Sequence, residues 1–188
     1  MKNSNKVTLK GRITRLGFGN HTTKGIIEIE RNSGGVDQVP FIIKTKMNIY
    51  AEWVTIKGRL CTSNVKGDDG KTHKKIYVQA EKILLNEDQE QLNEVEFDGT
   101  LVYKDKLRAT PKGKIIMDIV VAINDEFGSQ YPSLIVWGVT AERLSIMPIG
   151  TKMSVKGKFQ SRPYVKRTED KEEVKIAYEI NVRNAEVL

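Results

Sequence analysis

The chain has 188 residues, 39% hydrophobic and 29% charged, with a net charge of +7. That composition supports a buried core and argues against wholesale disorder. No stretch reaches the roughly 18 apolar residues of a membrane span, the opening MKNSNKVTLKG lacks the apolar core of a secretory leader, and the lone Cys61 cannot close an internal disulfide. A cytoplasmic protein is expected, with no membrane partner and with Cys61 a small core or surface residue.

The charge is uneven. Residues 1–92 carry 16 Lys and Arg against 10 Asp and Glu, whereas 93–188 carry 15 against 14. A basic chain makes polyanions the first class of partner to consider.

In chain order the sequence repeats itself. VTLKGRI (7–13) matches VEFDGTL (95–101), TTKGIIEIE (22–30) matches TPKGKIIMD (110–118), FIIK (41–44) matches LIVW (134–137), and VTIKGRL (54–60) matches MSVKGKF (153–159). The polar NEDQEQLN lies between the copies, so residues 1–85 and 94–188 are expected to form two units joined by a linker at 86–93.

Each unit reads almost wholly as strands. The first run alternates Val7, Leu9, Gly11, Ile13, and its counterpart Val95, Phe97, Gly99, Leu101. A glycine on the inward face in both copies indicates a bulge, or a bend that lets one strand serve two sheets. A KG turn at 24–25 and at 112–113 is expected to lead into the second strand. After the third strand the second copy inserts VTAERLSIMPIG, where Thr140 can cap a short helix, Ala141 and Leu144 share its face, and Pro148 ends it. The first copy has only TKMNIYAEW, with Tyr50 and Trp53 expected to plug the barrel end. The fourth and fifth strands form a long ribbon in each copy, closed by GDDGKT in the first and a charged VKRTEDKEEV in the second. Five strands, a bent first strand and a helix between the third and fourth describe an all-β chain of two tandem OB-folds, five-stranded Greek-key barrels. A generic small β-barrel is the plainer alternative.

In GTKMSVKGKFQSRPY (150–164), Met153, Val155, Gly157 and Phe159 face one way and Ser154, Lys156, Lys158 and Gln160 the other, and the run ends on Pro163-Tyr164. Flat rings separated by cations suit a single-stranded nucleic acid, which exposes base faces and phosphates together.

The second copy resembles the OB domain of bacterial single-stranded DNA-binding proteins. The matching stretches are NEVEFDGTL (93–101), LRATPKGK (107–114), VVAIN (120–124), YPSLIVWG (131–138), AERL (141–144) and GTKMSVKGKFQSRPY. The first copy resembles the family mainly through the second. The resemblance implies a non-enzymatic, largely sequence-independent protein that coats single-stranded DNA in replication, recombination or repair. It implies stacking on Tyr131, Trp137 and Tyr164, with Phe127 a fourth ring, and phosphate contacts from Arg108, Lys112, Lys156, Lys158, Arg162, Lys166 and Arg167. In the first copy Val65 stands in place of Tyr164, while the cations Lys10, Arg12, Lys57 and Arg59 remain, so that unit is expected to add charge, extend the path or mediate assembly.

Trp137 in an apolar run also reads as core, and alternating lysines as a solvated edge. GDDGKT lacks the glycine a phosphate-binding loop needs five residues earlier, and reads as a hairpin turn. His21 and His73 lie in apparent loops without metal-site spacing, and no nucleophile and base pair is evident, so neither metal, cofactor nor enzymatic activity is expected. The chain ends on an apparent strand, NVRNAEVL, with no acidic tip of the kind that recruits replication proteins in the family. Two copies per chain suit a homodimer of four barrels or a monomer, and a phage or mobile-element origin. RNA remains open beside DNA. The competing reading is a protein-interaction scaffold of primosome type from such a replication system, with incidental nucleic-acid binding.

Overall fold

A computed structural model of the chain describes residues 4–49, 52–67, 70–86, 88–167 and 172–188, with the side chain of Lys166 left outside the description. The first copy supplies β1 (Asn5–Phe18), β2 (Thr23–Glu30), β3 (Val36–Ile43), β4 (Trp53–Lys66) and β5 (Thr72–Leu85). The second supplies β6 (Leu92–Lys104), β7 (Arg108–Ala109), β8 (Ile115–Asp125), β9 (Gly128–Gln130), β10 (Ser133–Trp137), α1 (Gly138–Ser145), β11 (Lys152–Arg167) and β12 (Glu172–Val187).

Each copy closes as a five-stranded barrel, because its first strand pairs with two partners. β1 pairs with β4 over Val7–Arg12 and with β2 over Arg12–Phe18, while β3 runs parallel to β5. β6 likewise pairs with β11 and β8, and β10 runs parallel to β12. The chain is two OB-folds in tandem, with α1 between the third and fourth main strands of the second. The bend read from the glycines is present: the register slips between Ile13 and Arg15, and at the equivalent place between Leu101 and Tyr103. Gly11 is required by close approach, since a Cβ there would lie 2.2 Å from the carbonyl oxygen of Glu28 on β2.

The alternation places Val7, Leu9, Ile27, Val39, Phe41, Ile56 and Val78 in the first core, and Val95, Phe97, Met117, Leu134, Val155, Phe159 and Ile180 in the second. Burying each such side chain contributes about 1.5–3 kcal/mol. Met153, Val155, Gly157 and Phe159 all point inward as the pattern requires.

Two local expectations change. Lys24 and Gly25 lie inside β2, where Gly25 faces the ring of Phe41, and the first-copy turn falls earlier, closed by Gly19 N–H donating to the carbonyl of Thr22 (2.8 Å). The turn at Thr110–Lys114 forms as read, on a left-handed Gly113. The helix starts at Gly138, two residues before Thr140, because Gly138 at φ +53° turns β10 directly into α1. Trp137 occupies the cap position with no side-chain cap bond, and Ala141 and Leu144 are buried as expected. At the first barrel's end Met47 and Ile49 pack against the core, Trp53 is half-buried, and Tyr50 lies outside the described residues.

The sequence did not indicate how the barrels join. β1 and β6 pair antiparallel, Val7 opposite Val95, flanked by Asn5 opposite Phe97 and Leu9 opposite Asn93, so one 12-stranded sheet runs through both barrels. These pairs map onto each other under the 88-residue offset of the repeat, which makes the junction a pseudo-two-fold. Asn5 Nδ2 donates to the carbonyl of Leu60 (3.0 Å) and its Oδ1 accepts from Leu60 N–H (2.9 Å); Asn93 does the same with Phe159 (2.7 and 2.8 Å). The docking beyond the ladder is also reciprocal. Thr62 N–H donates to Gln130 Oε1 (2.6 Å) and Tyr131 N–H to Thr62 Oγ1 (3.1 Å), while Ser161 N–H donates to Asp37 Oδ1 (3.0 Å) and Gln38 N–H to Ser161 Oγ (2.8 Å). Each barrel thus satisfies backbone donors of the other.

Candidate nucleic-acid interface

The second barrel presents an outer face built from four neighbouring elements in the order β11, β12, β10, β8, with β7 at the edge. Since Leu134 and Val136 point into the core, Ser133, Ile135 and Trp137 point out, and Tyr131 continues that parity just before β10. On β8 the outward positions are Ile116, Asp118 and Val120; on β12, Glu179 and Asn181; on β11, Gln160, Arg162 and Tyr164. Ile135 lies opposite Asp118 and Trp137 opposite Ile116, while Arg108 pairs across Ile116 from the edge.

Three rings belong to this face. Tyr131 is 43% exposed, Tyr164 39% exposed, and Trp137 is half-buried, with its indole N–H buried and without a hydrogen-bond partner among the described residues. Two arginines sit among them, each held by a carboxylate. Arg108 Nη1 lies 2.5 Å from Asp118 Oδ2, and Arg162 Nε lies 3.8 Å from Glu179 Oε1. Gln160 also donates through Nε2 to Glu179 Oε1 (3.4 Å) and accepts at its Oε1 from Asn181 Nδ2 (2.7 Å). Burial raises the pKa of Glu179, Asp118 adds to the rise, and Arg162 and Arg108 oppose it. The hydrogen bond to Asp118 raises Arg108 further.

The remaining expected residues are distributed elsewhere. Lys112 is exposed in the first hairpin turn, and Arg167, near the ribbon tip, pairs with Glu172 (2.8 Å). Lys156 is exposed beside Glu96 of β6 (3.1 Å), on the wall shared between the barrels, because β11 meets β6 before it reaches the ring-bearing face; Lys158, half-buried, follows it. Lys10 pairs with Glu90, Arg12 with Glu28 (3.6 Å) and Glu52 (3.2 Å), and Lys57 is exposed opposite Thr8, all on that same wall. Arg59 is only 9% exposed: its guanidinium lies 3.8 Å from the ring centroid of Phe127 and 3.9 Å from Asp125. The side chain of Lys166 lies outside the described residues.

The first barrel has its own outer face, on β4, β5, β3 and β2. Counting from the bulges at Gly58 and Gly157, the pair Cys61 and Tyr77 occupies the place of Gln160 and Glu179. Tyr77 is therefore an outward, half-buried ring that the sequence reading missed; the shared glycine could have anchored the register that reveals it. Lys24, Lys44 and Lys75 are exposed around it. Cys61 is buried, and burial raises its thiol pKa. His73 lies within β5 rather than a loop. Among the described residues no cluster of His, Cys, Asp or Glu is placed to hold a metal ion, and no helix is long and apolar enough to cross a membrane.

No protein-family description and no curated protein matches this chain. Solved structures do. The wild-type single-stranded DNA binding protein from Thermus aquaticus superposes with a TM-score of 0.78 at 18% identity, covering 100% of this chain and 94% of that one. A deletion mutant of the same protein, delta 228-252 R190A, gives 0.75 at 20% identity, covering 100% and 95%. From end to end, this chain has the fold of the Thermus aquaticus single-stranded DNA binding protein.

Proposed function

We propose that the chain binds single-stranded DNA without strong sequence preference and coats it, as a non-enzymatic protein of replication, recombination or repair. The observation that carries the reading is the outer face of β11, β12, β10 and β8, where Tyr131, Trp137 and Tyr164 share one surface with Arg108 and Arg162. Base faces stack on the rings, each worth about 1–3 kcal/mol by alanine substitution. The arginines exchange carboxylate partners for phosphates, so affinity falls with salt, with a slope near −0.7 per phosphate neutralised. The likeness in fold to a protein of that name supports the reading.

The first barrel, with Tyr77 among Lys24, Lys44 and Lys75, extends the path. A dimer would bring four barrels together through the wall that carries Lys6, Lys10, Glu94 and Glu96. Titration of single-stranded DNA, RNA and duplex at two salt concentrations tests the reading. Tight, salt-sensitive binding to single-stranded DNA with weak duplex binding supports it; equally weak binding to all three favours a protein-interaction scaffold.

A further inference from the structure

The floor of the ring-bearing face is acidic where a phosphate-binding surface would be basic. Asp118 and Asn181 lie on either side of the outward Ile135, Glu179 is the outward residue of β12 just before Asn181, and its side chain is only 13% exposed. The fold does not require an acid there, since the equivalent position in the first barrel is Tyr77. Nor do the arginines consume it. A carboxylate offers about four acceptor sites and no donor, while among the described residues the side-chain groups placed on Glu179 are Gln160 and Arg162.

Phosphates cannot rest over two carboxylates, so a strand bound on this face turns its bases toward the floor and its backbone toward Arg108 and Arg162 at the margins. Rings grip base faces and leave base edges free to meet the floor. Cytosine, adenine and guanine carry an exocyclic amino group that donates to a carboxylate. Thymine instead flanks its single N–H with two carbonyl oxygens, which a carboxylate repels.

We propose that Glu179, supported by Asp118, reads base edges on the ring-bearing face and favours bases with an exocyclic amino group over thymine. The proposal rests on the single-stranded DNA reading. A carboxylate held by Gln160 keeps one orientation, and Glu179→Gln preserves its shape while removing the acceptor-only character.

The test is fluorescence anisotropy with matched oligo-dC and oligo-dT, at mildly alkaline pH where cytosine is not protonated, on the wild type, Glu179→Gln and Asp118→Asn. Using the change in the dC-to-dT affinity ratio removes any intrinsic difference in stacking or stiffness between the two oligonucleotides. The ratio is expected to fall about fivefold in Glu179→Gln, the size of one hydrogen bond, mainly through tighter dT binding, and to move the same way by less in Asp118→Asn. Should Glu179→Gln not fold, Asp118→Asn reads the same ratio. Binding to both oligonucleotides with a ratio unchanged in the folded variants overturns the edge-reading role alone. Absence of binding to either overturns the underlying function as well.

Discussion

The guanidinium of Arg59, from the first barrel, lies 3.8 Å above the ring of Phe127, from the second. Asp125 completes the contact, 3.9 Å from Arg59 and 2.9 Å from the Asn5 amide. A nearly buried cation of one barrel thus meets a ring of the other that itself stays 58% exposed. Arg59→Ala is expected to lower unfolding free energy by about 3 kcal/mol, because the nearly buried Asp125 loses its cation, while affinity for single-stranded DNA changes less than about threefold. Chemical denaturation and an oligo-dT titration check the two halves.

Gly157 sits at the β-bulge between β11 and β12, where a Cβ would lie 2.5 Å from the carbonyl oxygen of Asn181. The ladder cannot widen locally without losing its pairing. Gly157→Ala is expected to cost about 2 kcal/mol or more, read as a lower denaturant midpoint with an unchanged slope.

Burial raises the folded-state pKa of Glu179 above its ordinary value of 4.5. A carboxyl raised on folding binds more protons in the native state, so its contribution is most favourable below the unfolded pKa and is lost as pH rises through the folded one. Glu179→Gln should therefore melt higher than wild type at neutral pH, and the difference should shrink toward acid. The loss of the exposed Arg162 as a partner offsets little of this, since such pairs are worth about 0–1 kcal/mol. Thermal melts across that pH range provide the check; equal melting temperatures at neutral pH would contradict the assignment.

Lys44 and Lys75 are exposed near Tyr77 on the first barrel's outer face. If the strand crosses that face, replacing both with Gln should flatten the plot of log affinity against log salt by about 0.7 for each phosphate contact removed. An unchanged slope would confine the path to the second barrel.

The barrels were legible because strand alternation and the internal repeat are local signals: Val7, Leu9 and Gly11 announce their inward face without any partner. What the alternation cannot specify is which edge meets which. The outward or edge groups of β1 and β6 read as solvated until the two strands are seen to pair. Arg59 had the right parity for a phosphate contact, yet its outward side is covered by Phe127 of the other barrel. Glu179 and Asp118 lie 61 residues apart in the chain, and neither stands out until β10, between β12 and β8, brings them to one face. Lys156 lies beside β6 rather than on the ring-bearing face for a related reason, because one long strand crosses two walls and parity does not say where the wall changes.

The central claim is that Tyr131, Trp137 and Tyr164 stack bases on one face of the second barrel. Its most direct measurement is the affinity of the triple variant Tyr131→Ala, Trp137→Ala, Tyr164→Ala for a single-stranded oligonucleotide, with circular dichroism confirming the fold. A loss of at least about a hundredfold is predicted from three stacked bases; a folded variant that binds as tightly as wild type would contradict it.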